Sequence, residues 1–320
     1  MCFNNIFKCS LKYCLREPLY FVVLILSLML IGLFPLLAVF TFNEQIKMVF
    51  DGSMALILTF SFLLAILLVD SLVYKEISSG NIMVLLSKPV KQHVFLLGKL
   101  TGLFFSLFIY ILICCIATFI SCYIAVDQFN PNLSVFYIYY TLIFVASGFG
   151  LLKNFLRGTS FIPGAVIMIL FLLGLQLSYL FIESPDFFAN NGFNLFTLVK
   201  AMILILPAVC IMGTVSVFVS TRFGLTVNII ICFSIFILGL ISDYLFGEYI
   251  RNGSIFFSFL YALIPNWQFF WVVDAAVSGP NISFSYLLWC FAYSILYVVF
   301  CSCLAFISLG GIELAKFREE

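Results

Sequence analysis

The chain has 320 residues, of which 64% are hydrophobic and 9% charged, and its formal net charge is +1. Ordinary soluble domains carry about 25% charged residues, so this supply cannot cover a water-facing surface of such size. The near-neutral balance likewise offers no field for nucleic acid or for a strongly acidic partner.

With a mean hydropathy of +1.23, lipid is the expected solvent. There an unpaired backbone amide or carbonyl costs several kcal/mol, so a spanning segment is a helix or part of a closed barrel. The apolar runs last about 20 residues without dyad alternation, the length of a helix crossing a hydrocarbon core of about 30 Å. The expected fold is all-α: a polytopic transmembrane bundle forming a single domain over residues 1–320.

In chain order, residues 1–18 read as an amphipathic lead-in carrying Lys8, Lys12 and Arg16. The first apolar run starts after it, is longer than a secretory h-region and lacks an A-x-A cleavage pattern, so it reads as a retained helix. Eight spans are expected: Leu19–Thr41, Met54–Tyr74, Thr101–Ala125, Val135–Leu152, Thr159–Ile182, Phe196–Ser220, Leu225–Leu245 and Phe284–Leu309, within a range of six to nine. The stretch Ile255–Val273 is apolar but interrupted by Pro265 and Asn266 and carries Trp267 and Trp271. Proline breaks a helix and tryptophan favours the headgroup boundary, so an outer re-entrant or interfacial helix pair is expected within residues 246–283.

With the amino terminus inside, twelve of the fifteen Lys and Arg residues fall on the cytoplasmic side and only Lys47, Lys200 and Arg251 outside. The positive-inside rule therefore predicts a multi-pass protein with both termini cytoplasmic. Pro35, Pro163 and Pro207 are expected to kink their helices, and Asp70, Gln176, Ser178 and Asn228 are polar groups within apolar runs, read chiefly as interfacial or interhelical. Most of the eleven cysteines lie in apolar runs as small hydrophobes, with no CxxC pair. There is no G-x-x-x-x-G-K-[ST] phosphate loop, and the single histidine, His93, reads as solvated; no catalytic, metal or cofactor residues are expected.

The longest inside connection is residues 75–100, which with the following Thr101 and Gly102 reads KEISSGNIMVLLSKPVKQHVFLLGKLTG. Its middle, Ile82–Ser87, suits a short amphipathic helix ended by Pro89. The pattern set by Glu76, Gly80, Leu85, Leu86, Ser87, Lys88, Pro89, Val90, Phe95, Leu96, Leu97, Gly98, Lys99 and Gly102 resembles the first cytoplasmic loop of ABC-2 type permeases, the membrane subunits of ATP-binding-cassette transporters. Leu15-Arg16-Glu17-Pro18, Ser220-Thr221-Arg222-Phe223-Gly224 and Ile264-Pro265-Asn266 resemble further parts of that family, whose core has six spans, so an extra hairpin is expected over Val135–Ile182.

The resemblance implies a bacterial inner-membrane permease, exporting a substrate with a cytosolic ATP-binding subunit that supplies ATP and Mg. It also implies a second permease chain and a lipid surrounding. Glu76, Gly80, Leu85, Leu86, Ser87, Lys88, Pro89, Gly98 and Lys99 would be coupling residues, Glu76 complementing the short helix and the lysines meeting acidic groups of the partner or inner-leaflet lipid. Two other classes stay open. An intramembrane enzyme on lipid-linked substrates would draw on the outer acids Asp243, Glu248 and Asp274, and an ion-coupled secondary transporter on Asp70.

Overall fold

The computed structural model describes residues 2–38, 44–79, 92–127, 131–184, 195–251, 254–273 and 282–316, and these are predominantly helical, with no strand among them. The elements are α1 (Cys2–Cys14), α2 (Pro18–Leu37), α3 (Gln45–Val69), a π-turn (Asp70–Tyr74) and α4 (Lys75–Ser78), followed by α5 (Gln92–Ile124), α6 (Leu133–Arg157), α7 (Phe161–Glu183) and α8 (Leu195–Ser220). Then come α9 (Leu225–Leu240), α10 (Ser242–Arg251), α11 (Ile255–Leu263), a 3-10 turn (Trp267–Phe270) and α12 (Phe284–Lys316). Among the described residues seven helices are long and apolar enough to cross a membrane, and the protein is an all-α polytopic membrane bundle.

Position in the bundle follows from burial. The apolar windows of α3 and α8 are each 78% buried, whereas those of α6 and α12 are 22% buried, so α3 and α8 form the centre and α6 and α12 the rim. Lipid is as apolar as leucine, so hydrophobicity alone does not hold such helices together, and interhelical hydrogen bonds contribute. Tyr20 donates to the Ser106 carbonyl at 3.0 Å, Ser27 meets the Tyr110 hydroxyl at 2.5 Å, Ser121 donates to the Ile31 carbonyl at 3.0 Å and Tyr139 to the Leu28 carbonyl at 2.8 Å. The rising pairs 20/106, 27/110 and 31/121 set α2 parallel to α5.

The chain starts α2 sharply. Proline at its first position fixes φ and lacks the N–H a helix start leaves unpaired, and Glu17 before it is extended at ψ 126°. Pro35 and Pro207 lie within helices. Pro163, expected to kink a span, instead occupies the first turn of α7, where its missing donor has no helical partner to lose.

Three boundaries differ from the sequence reading. The span expected from Thr101 begins at Gln92, giving a helix of 33 residues, about 50 Å at 1.5 Å per residue. At the other border of the connection, Lys75–Ser78 stays helical. The span expected over Leu225–Leu245 is a 16-residue helix ending at Leu240, about 24 Å long. Its end is set by a wedge. A side chain at Gly239 would sit 2.2 Å from the Pro265 carbonyl oxygen and 2.5 Å from the Trp267 indole nitrogen, and Gln268 Nε2 takes the Leu240 carbonyl at 2.8 Å.

Of the helix pair expected on either side of the Pro265–Asn266 break, the first is α11 and the second is only the 3-10 turn Trp267–Phe270; α11 packs on α10 through Tyr249 stacked on Phe257 at 4.4 Å between centroids. Trp267 departs from the expectation of a headgroup position. It is buried and packs edge-on against Phe62, with ring centroids 5.0 Å apart, because the break at Pro265 and Asn266 folds it onto α3.

Candidate functional site

At the end of the bundle that carries α1, four elements meet: α1, the π-turn, α4 and the first turns of α5. Gly98 and Gly102 make the seat. An added Cβ at Gly98 would lie 2.7 Å from Ile6 Cγ2, and one at Gly102 would lie 2.6 Å from Ser10 Cβ and 3.0 Å from the Leu11 backbone nitrogen. The four-residue steps match, so α1 runs alongside α5 with helix axes as close as the small residues allow. Phe7 closes the seat edge-on against Phe105, with ring centroids 6.0 Å apart. On the opposite face of α1, Lys8, Cys9 and Lys12 are exposed.

Between the two glycines, Lys99 is buried, with 5% of its surface exposed. Its ammonium donates to the Leu72 carbonyl at 2.5 Å and to the Glu76 carboxylate, and lies 4.5 Å from the centroid of the Phe95 ring. A buried ammonium needs such partners, since a desolvated and unpaired charge is costly. Glu76 is partly open to solvent, and its neighbour Lys75 lies 3.8 Å from Glu17 at the start of α2. One lysine therefore ties the π-turn and α4 to the start of α5, and a second, partly exposed pair ties α4 to the residue before α2.

Of the sequence-expected residues, Glu76, Gly98 and Lys99 come together here. Gly80, Leu85, Leu86, Ser87, Lys88 and Pro89 lie outside the described residues. One role is corrected. Lys99 is not a solvated loop cation available to a partner, since it is buried and bonded. Glu76 is bonded to Lys99, and the short helix it is expected to complement lies outside the described residues. The burial of Lys99 follows from the helical continuation of α5 to Gln92, which turns the loop end into a packed turn. The sequence reading missed the Leu72 carbonyl as an acceptor and the seating of α1. The four-residue spacing of Gly98 and Gly102 was the available signal for the seat.

Burial pushes the Cys14 thiol up to about 12, the nearby Ser106 opposing this weakly, and burial also raises the Tyr13 hydroxyl, helped by the Glu17 charge. Asp70 is 6% exposed. Its Oδ1 is buried with no hydrogen-bond partner, and it forms no ion pair with Lys75 among the described residues. Gln176 and Asn228 are interhelical: Gln176 Nε2 donates to the Val135 carbonyl at 3.3 Å, and Asn228 Nδ2 to the Ser216 and Ser220 hydroxyls at 2.9 and 2.8 Å. Ser178 bonds within its own helix, and His93 is exposed beside the Phe306 ring.

At the opposite end a cavity of about 530 Å³ is lined by Ala55, Thr59, Phe236, Trp267, Gln268 and Trp271, among others. It shares Thr59 and Phe236 with a second cavity of about 200 Å³ that reaches Ile66 and Met212. Among the described residues no charged side chain lines either. Asp243 lies nearby in sequence and structure, but it accepts from Tyr261 at 2.6 Å and from Asn266 at 2.9 Å, and so serves as an anchor for the wedge. The Glu248 side chain and Asp274 lie outside the described residues. No family model, no curated protein and no solved structure matches the chain.

Proposed function

We propose that the chain is a membrane-spanning permease subunit of an ATP-binding-cassette transporter, exporting a substrate with energy from ATP hydrolysed by a separate cytosolic subunit. The observation that carries this reading is the junction of Glu76 with Lys99. These residues, 23 apart in sequence, both belong to the motif that resembles the ABC-2 cytoplasmic loop, and they meet where the chain enters and leaves the connection 80–91. A push on that connection reaches α3 through α4, α5 through Lys99, and α1 through the glycine seat. That is the mechanical requirement for a lever that tilts spans when a partner closes.

In this reading the α1 end faces the cytoplasm of a bacterial cell, the permease works as a dimer, and the connection docks on the ATPase. The chain itself performs no catalysis and carries no cofactor, ATP and Mg being bound by the partner. The uncharged, aromatic-lined cavity at the opposite end fits an apolar or amphipathic substrate. The test is affinity purification of the tagged protein in mild detergent, with mass spectrometry of its partners and an ATPase assay. A stoichiometric phosphate-loop ATPase is expected, lost on deleting Ile82–Pro89 while membrane insertion persists. A deletion variant that keeps the ATPase would overturn the assignment.

A second reading rests on Asp70, because a buried carboxylate with an unbonded oxygen at the end of an apolar helix is a functional group by default. Ion-coupled transport without ATP, abolished by D70N, would favour it.

A further inference from the structure

The segment Asp70–Tyr74 is a π-turn in which the Lys75 N–H bonds back five residues to the Asp70 carbonyl. Such turns contain one residue more than an α-helix accommodates, they are less stable than the α register, and they persist where something outside the helix holds them. Here the outside group is visible. Lys99 reaches in from α5, with one bond to the Leu72 carbonyl inside the turn and one to the Glu76 carboxylate just beyond it. Seen down the helix axis, the angle between those two acceptors depends on the register. Winding the same residues into a continuous α-helix would rotate everything after the turn by about 100° and lengthen it by about 1.5 Å, carrying Glu76 away from a lysine still pinned to the Leu72 carbonyl. The double bond of Lys99 therefore fits the π register and not the α register.

We propose that Lys99 is a positioning residue that latches the Asp70–Tyr74 turn in its π register, and so sets the direction in which α4 delivers the chain to the connection 80–91. Breaking the latch rotates α4 into a continuous α-helix with α3. The role in coupling rests on the permease reading, whereas the register itself can be read without any partner. Two further features are consistent with a turn built for two registers. Asp70, its first residue, has a buried oxygen without a partner. Ser71 is buried and spends its hydroxyl on the Leu68 carbonyl at 2.9 Å, so neither side chain locks the turn from within.

The experiment is a spin-label distance measurement on the full chain in nanodiscs, with labels at S78C and T159C on a background lacking Cys2, Cys9 and Cys303. Both label sites are exposed. K99R should keep the native distance. K99M should move it by up to about 8 Å, the chord of a 100° turn on a helix of roughly 10 Å diameter. E76K/K99E should stay in the moved position, since it restores the ion pair but sets a carboxylate against the Leu72 carbonyl. Should K99M fail to insert, deletion of Ser71, which removes the extra residue, should build the α register with the residues after the turn still in phase and keep the native distance. A native distance in K99M or in E76K/K99E, or a moved distance in the Ser71 deletion, would overturn the latch. In a complex with an ATPase, K99M should keep the partner bound and lose ATP-driven transport. Absence of any ATPase from the unmodified protein would sink the permease reading and leave the distance result standing.

Discussion

At Gly102 one methyl group has nowhere to go, because the atoms it would meet include the Leu11 backbone nitrogen, which cannot rotate aside. G102V therefore lifts α1 off α5, and overpacking of this kind costs about 1–3 kcal/mol. The expected outcome is a lower melting temperature in detergent together with new tryptic cuts after Lys8 and Lys12. A wild-type melt with α1 still protected would contradict the seat. The same contact governs thiol chemistry. Cys14 lies at the foot of α1, facing α5, and burial pushes its thiol up to about 12. Its reactive thiolate fraction at pH 8 is then on the order of 10⁻⁴. Cys9, five residues earlier, is exposed. Maleimide at pH 8, followed by peptide mass spectrometry, should modify Cys9 and leave Cys14 unmodified until G102V opens the seat. Equal labelling in the unmodified chain would count against the packing.

Among the elements, α9 is short and much of its surface is exposed, so its attachment draws on polar contacts. Asn228 fixes it to α8 through two hydroxyls and accepts from Cys232 Sγ at 3.2 Å. Interhelical bonds inside membranes average about 0.6 kcal/mol each, so N228L should lower stability by roughly 1–2 kcal/mol. SDS-titration unfolding would measure it, and an unshifted midpoint would argue against the attachment. N228L combined with S216A should cost less than the two separately, because they remove one shared bond. The existence of the long spans was legible in sequence because hydropathy over about 20 residues reports burial in lipid directly. Their edges were not. Gln92–Leu100 mixes glutamine, histidine and lysine with leucine, and a window average cannot tell that Lys99 points inward to an acceptor 27 residues away. Trp267 was misplaced for the same reason, since its burial depends on Gly239 and Phe62, distant in sequence. The Glu76 to Gly102 motif was legible as a set of residues, but the pairing of Glu76 with Lys99 was not, because opposite charges at a spacing of 23 imply no contact.

For the molecule as a whole, the contacts fix which ends lie together even though they do not fix the side of the membrane. Ile6 on Gly98, the His93 ring beside Phe306, and Arg222 donating to Ser308 at 3.0 Å gather the start of α5, the turn after α8 and the last turns of α12 at the α1 end. The 158–160 turn between α6 and α7 lies at that end as well, since α5 runs away from it and α6 runs back. Leu133 opens α6 at the other end and is exposed, as are Leu97 and Thr159 at the first. A helix of about 50 Å cannot fit within a core of about 30 Å without tilt or protrusion, so the first turns of α5 near Leu97 are expected to reach water. Single cysteines placed at L97C and T159C should then react with a membrane-impermeant maleimide in one vesicle orientation and L133C in the opposite one. Applied to the eight-crossing topology expected from the sequence, the positive-inside rule predicts L97C and T159C on the cytoplasmic side, reactive in inside-out vesicles. Reversal of all three would invert the protein and remove the connection 80–91 from reach of a cytosolic ATPase. L97C and T159C on opposite sides would instead break the bundle topology itself.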